Sequence, residues 1–275
     1  MPSHDSFQVL GVRVDAVQIP SVLQQMQEWA SAWRSGCERR CHYIAVTNIH
    51  GITEAQRDEE FKLVLNTSEL CVPDGTPLVW IGRQRGFALS RRVYGPELMI
   101  EVCRRDGTRD LTHFFYGGAP GVADELAIAL ARCFPGLRVV GTYSPPFRPL
   151  TPAEDQQVVD TINRTAPDVV WVGLGCPKQE RWMYEHRTRL AVPILIGVGQ
   201  AFDIHSGKLR QAPSWMRDHG LEWLFRLCLE PRRLWRRYLV NIVRFLYYLS
   251  LESLGLKRFA ASMPHAPTGS PRSRV

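Results

Sequence analysis

The chain lacks most of the signatures that sort a sequence quickly. It has no Walker lysine motif and no complete G-x-G-x-x-G, so neither of the common phosphate-binding loops is present in full. Its seven cysteines, at 37, 41, 71, 103, 133, 176 and 228, are odd in number and scattered. Only Cys37 and Cys41 lie close together, and no second pair completes a zinc site, so they read as buried or incidental thiols of a reducing compartment. The eight histidines show no ligand spacing either; His42 and His50 are eight apart and the rest are remote. No basic stretch followed by a long apolar run opens the chain, so no signal peptide is expected. The most apolar stretch, 238–251, is interrupted by Asn241, Arg244 and Ser250. It falls short of the roughly 20 apolar residues of a membrane span, although it suits a helix lying on a membrane.

What is present begins with charge. The formal net charge is +7, which by itself points to nucleic acid or an anionic membrane. Its location decides between them. Residues 207–275 carry 13 Lys and Arg against 4 Asp and Glu, whereas residues 1–206 carry 21 against 23. A near-neutral body of net −2 therefore bears an appendage of net +9. No basic stripe crosses the body and no nucleic-acid motif occurs, so nucleic acid is excluded as the expected partner. In the appendage Arg226, Arg232, Arg233, Arg236 and Arg237 interleave with Leu224, Phe225, Leu234, Trp235, Tyr238 and Leu239. That mixture suits an interfacial helix on anionic lipid better than a solvated basic face.

The body alternates short, continuously apolar, β-branched runs with helical patterns. Strands are expected at FQVLGV and RVDAV near the start, then over 42–48, 69–73, 112–118, 137–143, 168–174 and 193–199. Helices are expected over 22–34, capped by Ser21, and over 53–66, 75–86, 95–105, 120–133, 152–165, 177–190, 212–230 and 232–251. This order predicts an α/β fold: a Rossmann-like, mostly parallel sheet flanked by helices, with a helical basic C-terminal appendage. The expected division is a catalytic domain over 1–206, an amphipathic helical appendage over 207–255 and a disordered Pro/Ser/Gly-rich tail over 256–275.

In such a sheet ligands bind beyond the carboxyl ends of the strands. That rule places TNIHG (47–51), PDG (73–75), YGGAPG (116–121), GTYSPPF (141–147), GLGCPKQE (173–180) and GVGQAFD (197–203) on one rim. Each motif has a plain reading beside the functional one. Asp74 is either the N-cap of the helix over 75–86 or a carboxylate facing the ligand, available as a general base. Gly117 and Gly118 either hold a diphosphate on backbone N–H groups or permit close strand–helix packing. Gln179 and its neighbours either bind polar ligand groups or supply the first turn of a helix. Thr47, Asn48 and Asp203 stand at strand ends on the same rim.

Taken in order, VPDG, RRVYGPELM, FFYGGAPGVADELA, GTYSPPF, PDVVWVGLGCPKQERWM, IGVGQAFDIHSG and QAPSWMRDHGLEWLFRLCLEPRRLWRRYL resemble the WecG/TagA/CpsF family, family 26 of the glycosyltransferases. The resemblance runs from about residue 7 to 240 through seven separate motifs. It implies transfer of a sugar from a UDP-sugar to a polyprenyl-diphosphate-linked acceptor, at the cytoplasmic face of the bacterial plasma membrane, for a cell-surface polysaccharide. It also implies inversion at the anomeric centre and no metal or other cofactor, in keeping with a sequence that contains no D-x-D pair. By motif Asp74 is the general base, and Arg92 and Gln179 lie around donor or acceptor. Arg226, Arg233 and Arg236 are the appendage arginines that reach the diphosphate. Val46 stands where many members have threonine, two positions before Asn48, so Asn48 carries over and Thr47 abuts it.

The expectation is thus a peripheral membrane glycosyltransferase of N-acetylmannosaminyl or glucosyl type. The alternative is a non-catalytic nucleotide-sugar-binding scaffold docked on membrane. Either leaves a homo-oligomer open.

Overall fold

The computed structural model describes residues 4–106 and 111–261, so of the tail expected over 256–275 only 256–261 fall within the described residues. Two short strands, β1 (Ser6–Val9) and β2 (Val12–Asp15), pair antiparallel. Leu10 and Gly11 join them with φ of 51° and 75°, the doubly left-handed turn that suits the twist of a two-residue hairpin. A six-stranded sheet follows, of β3 (His42–Thr47), β4 (Leu70–Pro73), β5 (Thr112–Gly117), β6 (Arg138–Tyr143), β7 (Val169–Gly173) and β8 (Ile194–Gly197). Its spatial order is β4-β3-β8-β7-β5-β6 and every pairing is parallel. The parallel Rossmann-like sheet expected from the sequence is therefore present.

The helices of the body are α1 (Ile19–Arg34), α2 (Ile49–Ala55), α3 (Glu59–Asn66), α4 (Thr76–Gln84), α5 (Gly95–Asp106), α6 (Val122–Cys133), α7 (Pro152–Thr165), α8 (Lys178–His186) and α9 (Ala201–His205). The remaining three are α10 (Ser214–Asp218), α11 (Glu222–Leu229) and α12 (Pro231–Ser253). Both faces of the sheet are covered. Ile44, Val46, Val72, Phe115, Trp171 and Ile196 pack with residues of α1, α5 and α6 on one face. On the other, Ala45 and Cys71 meet α2, α3, α4 and the hairpin, while Phe114, Tyr116, Val170 and Leu195 meet α7 and α8. Alternate residues of each strand thus bury on opposite sides, as a doubly covered sheet requires.

Four details differ from the periodicity reading. The helix expected over 53–66 is two, because the Asp58 side chain accepts the Phe61 amide hydrogen and starts α3 afresh. The helix expected over 212–230 breaks at Gly220, whose φ of +72° no helix tolerates. Ser21 caps nothing: α1 starts two residues earlier with Gln18 in the cap position and Pro20 in its first turn. The short helix α9 falls where strand and loop were expected to meet.

Parallel register levels the strand ends. Thr47 pairs with Pro73, Gly117 with Gly173, and Val172 with Gly197. At this level β5 and β7 approach so closely that a Cβ on Gly117 would sit 2.6 Å from the Gly173 backbone, and Gly117 itself has φ of +137°. A Cβ on Gly118 would lie 2.8 Å from Val122 at the head of α6. Packing alone therefore demands glycine at both positions. Gly117→Ala should lower the free energy of unfolding by at least about 2 kcal/mol, read as a fall in the thermal midpoint of the free protein.

Candidate active site

Asp74 follows β4 directly, and its amide donates to the Thr47 carbonyl at the end of β3, 2.8 Å away. The competing reading of Asp74 as a helix cap does not hold. Gly75 occupies the N-cap position of α4, with no side-chain cap bond. The carboxylate points instead across the rim, where the Asn48 side chain and the amide of Gly95, first residue of α5, donate to it. Its Oδ1 has no hydrogen-bond partner. Burial pushes its carboxyl up to about 7, against the pull of Arg92 and with help from the nearby Glu222 carboxylate.

Arg92 stands beside it without closing on it. The Nη1–Oδ1 separation is 3.9 Å, and Nη1 lies 3.3 Å from the Asp74 backbone carbonyl. The other guanidinium nitrogen, Nη2, donates to the carboxylate of Glu222. The Tyr94 hydroxyl donates to the second oxygen of Glu222 at 2.7 Å, and the Arg92 guanidinium lies over the Tyr94 ring, 4.1 Å from its centroid. Glu222 opens α11, so the appendage reaches into the rim and contributes a carboxylate that is itself buried. Neither Glu222 nor Tyr94 stood out in the sequence. The available signal was an acidic residue, one of four in a segment of 13 basic ones, inside the apolar run LEWLF.

The appendage is seated at two further points. A Cβ on Gly220 would lie 2.8 Å from Thr76 Oγ1 in the first turn of α4, two residues after Asp74. On α12 the buried Asn241 meets His50 Nδ1 at 3.1 Å, and Phe245 enters the core among residues of α2 and α4. His50 belongs to α2, whose cap is Asn48: the Asn48 side chain accepts the His50 amide hydrogen. The last described residues fold back on the hairpin, with the Ala260 carbonyl against Gly11.

The other expected site residues distribute unevenly. Thr47 is buried and lends the cluster its backbone, with its hydroxyl against Gly51. Gln179 is 4% exposed beneath the ends of β7 and β8. Its Oε1 accepts from the Gly175 amide at 3.2 Å and its Nε2 donates to Glu180 at 2.8 Å. Glu180 is buried too, and that burial pushes its carboxyl up to about 7. Asp203 lies on α9, where its carbonyl accepts from Leu209. Arg226 sits one turn beyond Glu222 on the same stripe of α11 and forms no ion pair among the described residues. Arg236 is exposed beside Trp235, 5.8 Å from that ring, on the side of α12 turned away from α2. The side chain of Arg233 lies outside the described residues. Asp74, Asn48 and Arg92 thus come together, Gln179 lies below them, and Arg236 stands apart. Among the described residues no three His, Cys, Asp or Glu side chains group as a metal site.

A carboxylate that is largely withdrawn from water, elevated and short of one partner, with a guanidinium at its side, is equipped to take a proton next to developing negative charge. Comparison with known proteins gives this geometry its context. Over 198 residues, 72% of this chain and 74% of the relative, the sequence is 32% identical to the N-acetylglucosaminyldiphosphoundecaprenol N-acetyl-beta-D-mannosaminyltransferase of Bacillus spizizenii. It is 32% identical over 217 residues to the enzyme of the same name from Bacillus subtilis, covering 78% of this chain and 82% of that one. With the Staphylococcus aureus enzyme of that name it shares 25% identity over 250 residues, 91% and 94% of the two chains. The sequence profile of the glycosyl transferase WecG/TagA/CpsF family matches residues 7–259, hairpin, sheet and appendage together, and the chain belongs to that family of glycosyltransferases.

Proposed function

We propose that this enzyme transfers N-acetylmannosamine from its UDP donor to N-acetylglucosamine carried on a polyprenyl diphosphate, with inversion at the anomeric carbon. The observation that carries the reading is the state of Asp74, a carboxylate on the ligand rim that neither caps a helix nor accepts a hydrogen bond from the arginine 3.9 Å away. The acceptor hydroxyl gives its proton to Asp74 as its oxygen forms the new bond to the anomeric carbon. The bond from that carbon to the donor diphosphate breaks, and UDP departs with the electron pair. Arg92, and Arg226 from the appendage, offset the charge that grows on the leaving diphosphate. The named relatives support the sugar and the lipid-linked acceptor.

The appendage supplies the membrane footing in this reading. No helix of the described residues is long and apolar enough to cross a bilayer. On α12, however, Trp235, Leu239, Val243 and Leu246 are all at least half exposed and recur every three or four residues. They lie opposite the face carrying Leu234, Asn241 and Phe245, which is buried. Arg232 and Arg236 flank the exposed stripe. Such a helix lies in the interface plane of an anionic membrane, apolar stripe down. In this reading the enzyme works on the cytoplasmic leaflet, where lipid-linked acceptors present their diphosphates.

Asp74→Asn should bind UDP normally and lose turnover by about 10²–10⁴-fold, measured with purified protein and a lipid-linked acceptor. Because the base must be ionised, wild-type kcat should rise with pH and level off above about 7. Donor competition among UDP-N-acetylmannosamine, UDP-N-acetylglucosamine and UDP-glucose tests the sugar. Replacing Leu239, Val243 and Leu246 together by serine should weaken sedimentation with anionic vesicles at least about 10-fold. Turnover of a water-soluble acceptor should be unchanged.

A further inference from the structure

We propose that Glu222 is a positioning residue: from the appendage it takes up the Arg92 guanidinium, so that Arg92 stands at Asp74 without donating a hydrogen bond to its carboxylate. The inference rests on Asp74 being the base of the proposed reaction. It goes beyond that reading by giving the appendage a part in setting the strength of the base.

The geometry is specific. A guanidinium offers a planar fork that pairs best, side-on, with a single carboxylate. At this site it has two to choose from. Glu222 holds Nη2 and is itself held by the Tyr94 hydroxyl at 2.7 Å. The Tyr94 ring lies flat beneath the guanidinium and the Asp74 carbonyl takes up Nη1 at 3.3 Å. Held from three sides, Arg92 stops 3.9 Å short of Asp74 Oδ1, beyond hydrogen-bond reach, and that oxygen is without a partner. The charged and titratable groups facing Asp74 are Arg92 and Tyr94, from the segment before α5, and Glu222, from α11. The Asn48 amide and the Gly95 N–H complete the shell and carry no charge.

Without the Glu222 carboxylate the guanidinium needs to advance only about 1 Å to bond Asp74 directly. A carboxylate in such a pair is a weaker base, since the paired cation favours its ionised form. A Glu222 carboxylate also repels charge on Asp74, so its loss acts in the same direction. The docked appendage thereby keeps the base strong, and a chain with the appendage lifted away holds its base in a direct, hydrogen-bonded pair with Arg92.

The test uses the full chain and the variant Glu222→Gln, whose amide oxygen can still accept from Arg92 while its amide nitrogen donates to the Tyr94 hydroxyl, so the shape of the contact is kept. Three readouts are compared: kcat against pH with the lipid-linked acceptor, the titration of Asp74 followed by carboxyl ¹³C NMR, and tryptic cleavage at Lys208, Arg210 and Arg217. The Asp74 resonance is identified by its loss in Asp74→Asn. Gly220→Val, which drives a side chain into Thr76, serves as a reference for a displaced appendage. The expected result for Glu222→Gln is a protected appendage. The Asp74 titration and the acidic limb of kcat should both move down by about one pH unit, and plateau kcat should fall about threefold as the base weakens. An unmoved titration with the appendage protected would overturn the inference. So would a Glu222→Gln chain cleaved as readily as Gly220→Val, because Glu222 would then be a fastening alone. Asp74→Asn run in parallel separates the two levels of argument. Turnover surviving in that variant removes Asp74 as the base, whereas an inactive Asp74→Asn beside an unshifted Glu222→Gln removes only the role given to Glu222.

Discussion

One guanidinium shared by two carboxylates joins the two parts of this chain. Arg92 and Asp74, at the end of β4, belong to the body and Glu222 to the appendage, with Arg92 between the two carboxylates. The trio is partly or wholly withdrawn from water, where an unpaired charge is expensive and a paired one is tolerated only with good geometry. Neither half meets that condition alone. Lifting the appendage strips Arg92 of its closest partner. Without Arg92, Glu222 is left buried with only the Tyr94 hydroxyl. The seating of Gly220 on Thr76 and of Asn241 on His50 therefore does more than fasten a helix: it assembles the electrostatic balance of the rim.

The two ends of the sheet are built differently, and the difference explains why chemistry belongs at one of them. At the amino end, Asp168 is fully matched: it is held side-on by Arg34 and accepts from both the amide and the hydroxyl of Thr112. Asp15 takes the Cys71 amide and pairs with Arg13, yet its Oδ1 has no hydrogen-bond partner and burial raises its carboxyl. At the carboxyl end β5, β7 and β8 finish in glycine, and β3 and β4 just before Asn48 and Asp74. The backbone there comes close enough to exclude a Cβ, and two carboxyl groups, Asp74 and Glu180, are held well above their ordinary range by burial.

Much of this was legible beforehand because local physics and tertiary placement agreed. Continuous apolar runs such as VVWVG gave buried parallel strands, and a parallel sheet brings all its carboxyl ends to one edge, so Asn48, Asp74 and Gln179 were assigned to that edge from order alone. What the sequence concealed were relations across long separations. Asp74 could be named, but whether it capped a helix depended on Gly75 adopting the cap conformation. Glu222 lies 130 residues from Arg92, in a segment whose basic character drew attention to its arginines rather than to its few acids. Arg236 was grouped with Arg226 by motif, yet helix phase turns it away from the face docked on α2. The split of α2 from α3 turned on a single capping bond from Asp58, which a hydrophobic pattern does not encode.

The two faces of α12 carry a consequence of their own. One side of this helix grips α2, directly behind the Asn48 cap, and the opposite side is the exposed apolar stripe. A helix with its side chains is about 10–12 Å across. If the stripe is the membrane footing proposed above, α12 is a spacer of fixed thickness that sets how high the rim rides over the headgroups. Reach then becomes a criterion of substrate choice. An acceptor sugar is presented at the height its diphosphate stem allows, and a longer or shorter stem would miss Asp74 even if every contact to the sugar itself were satisfied.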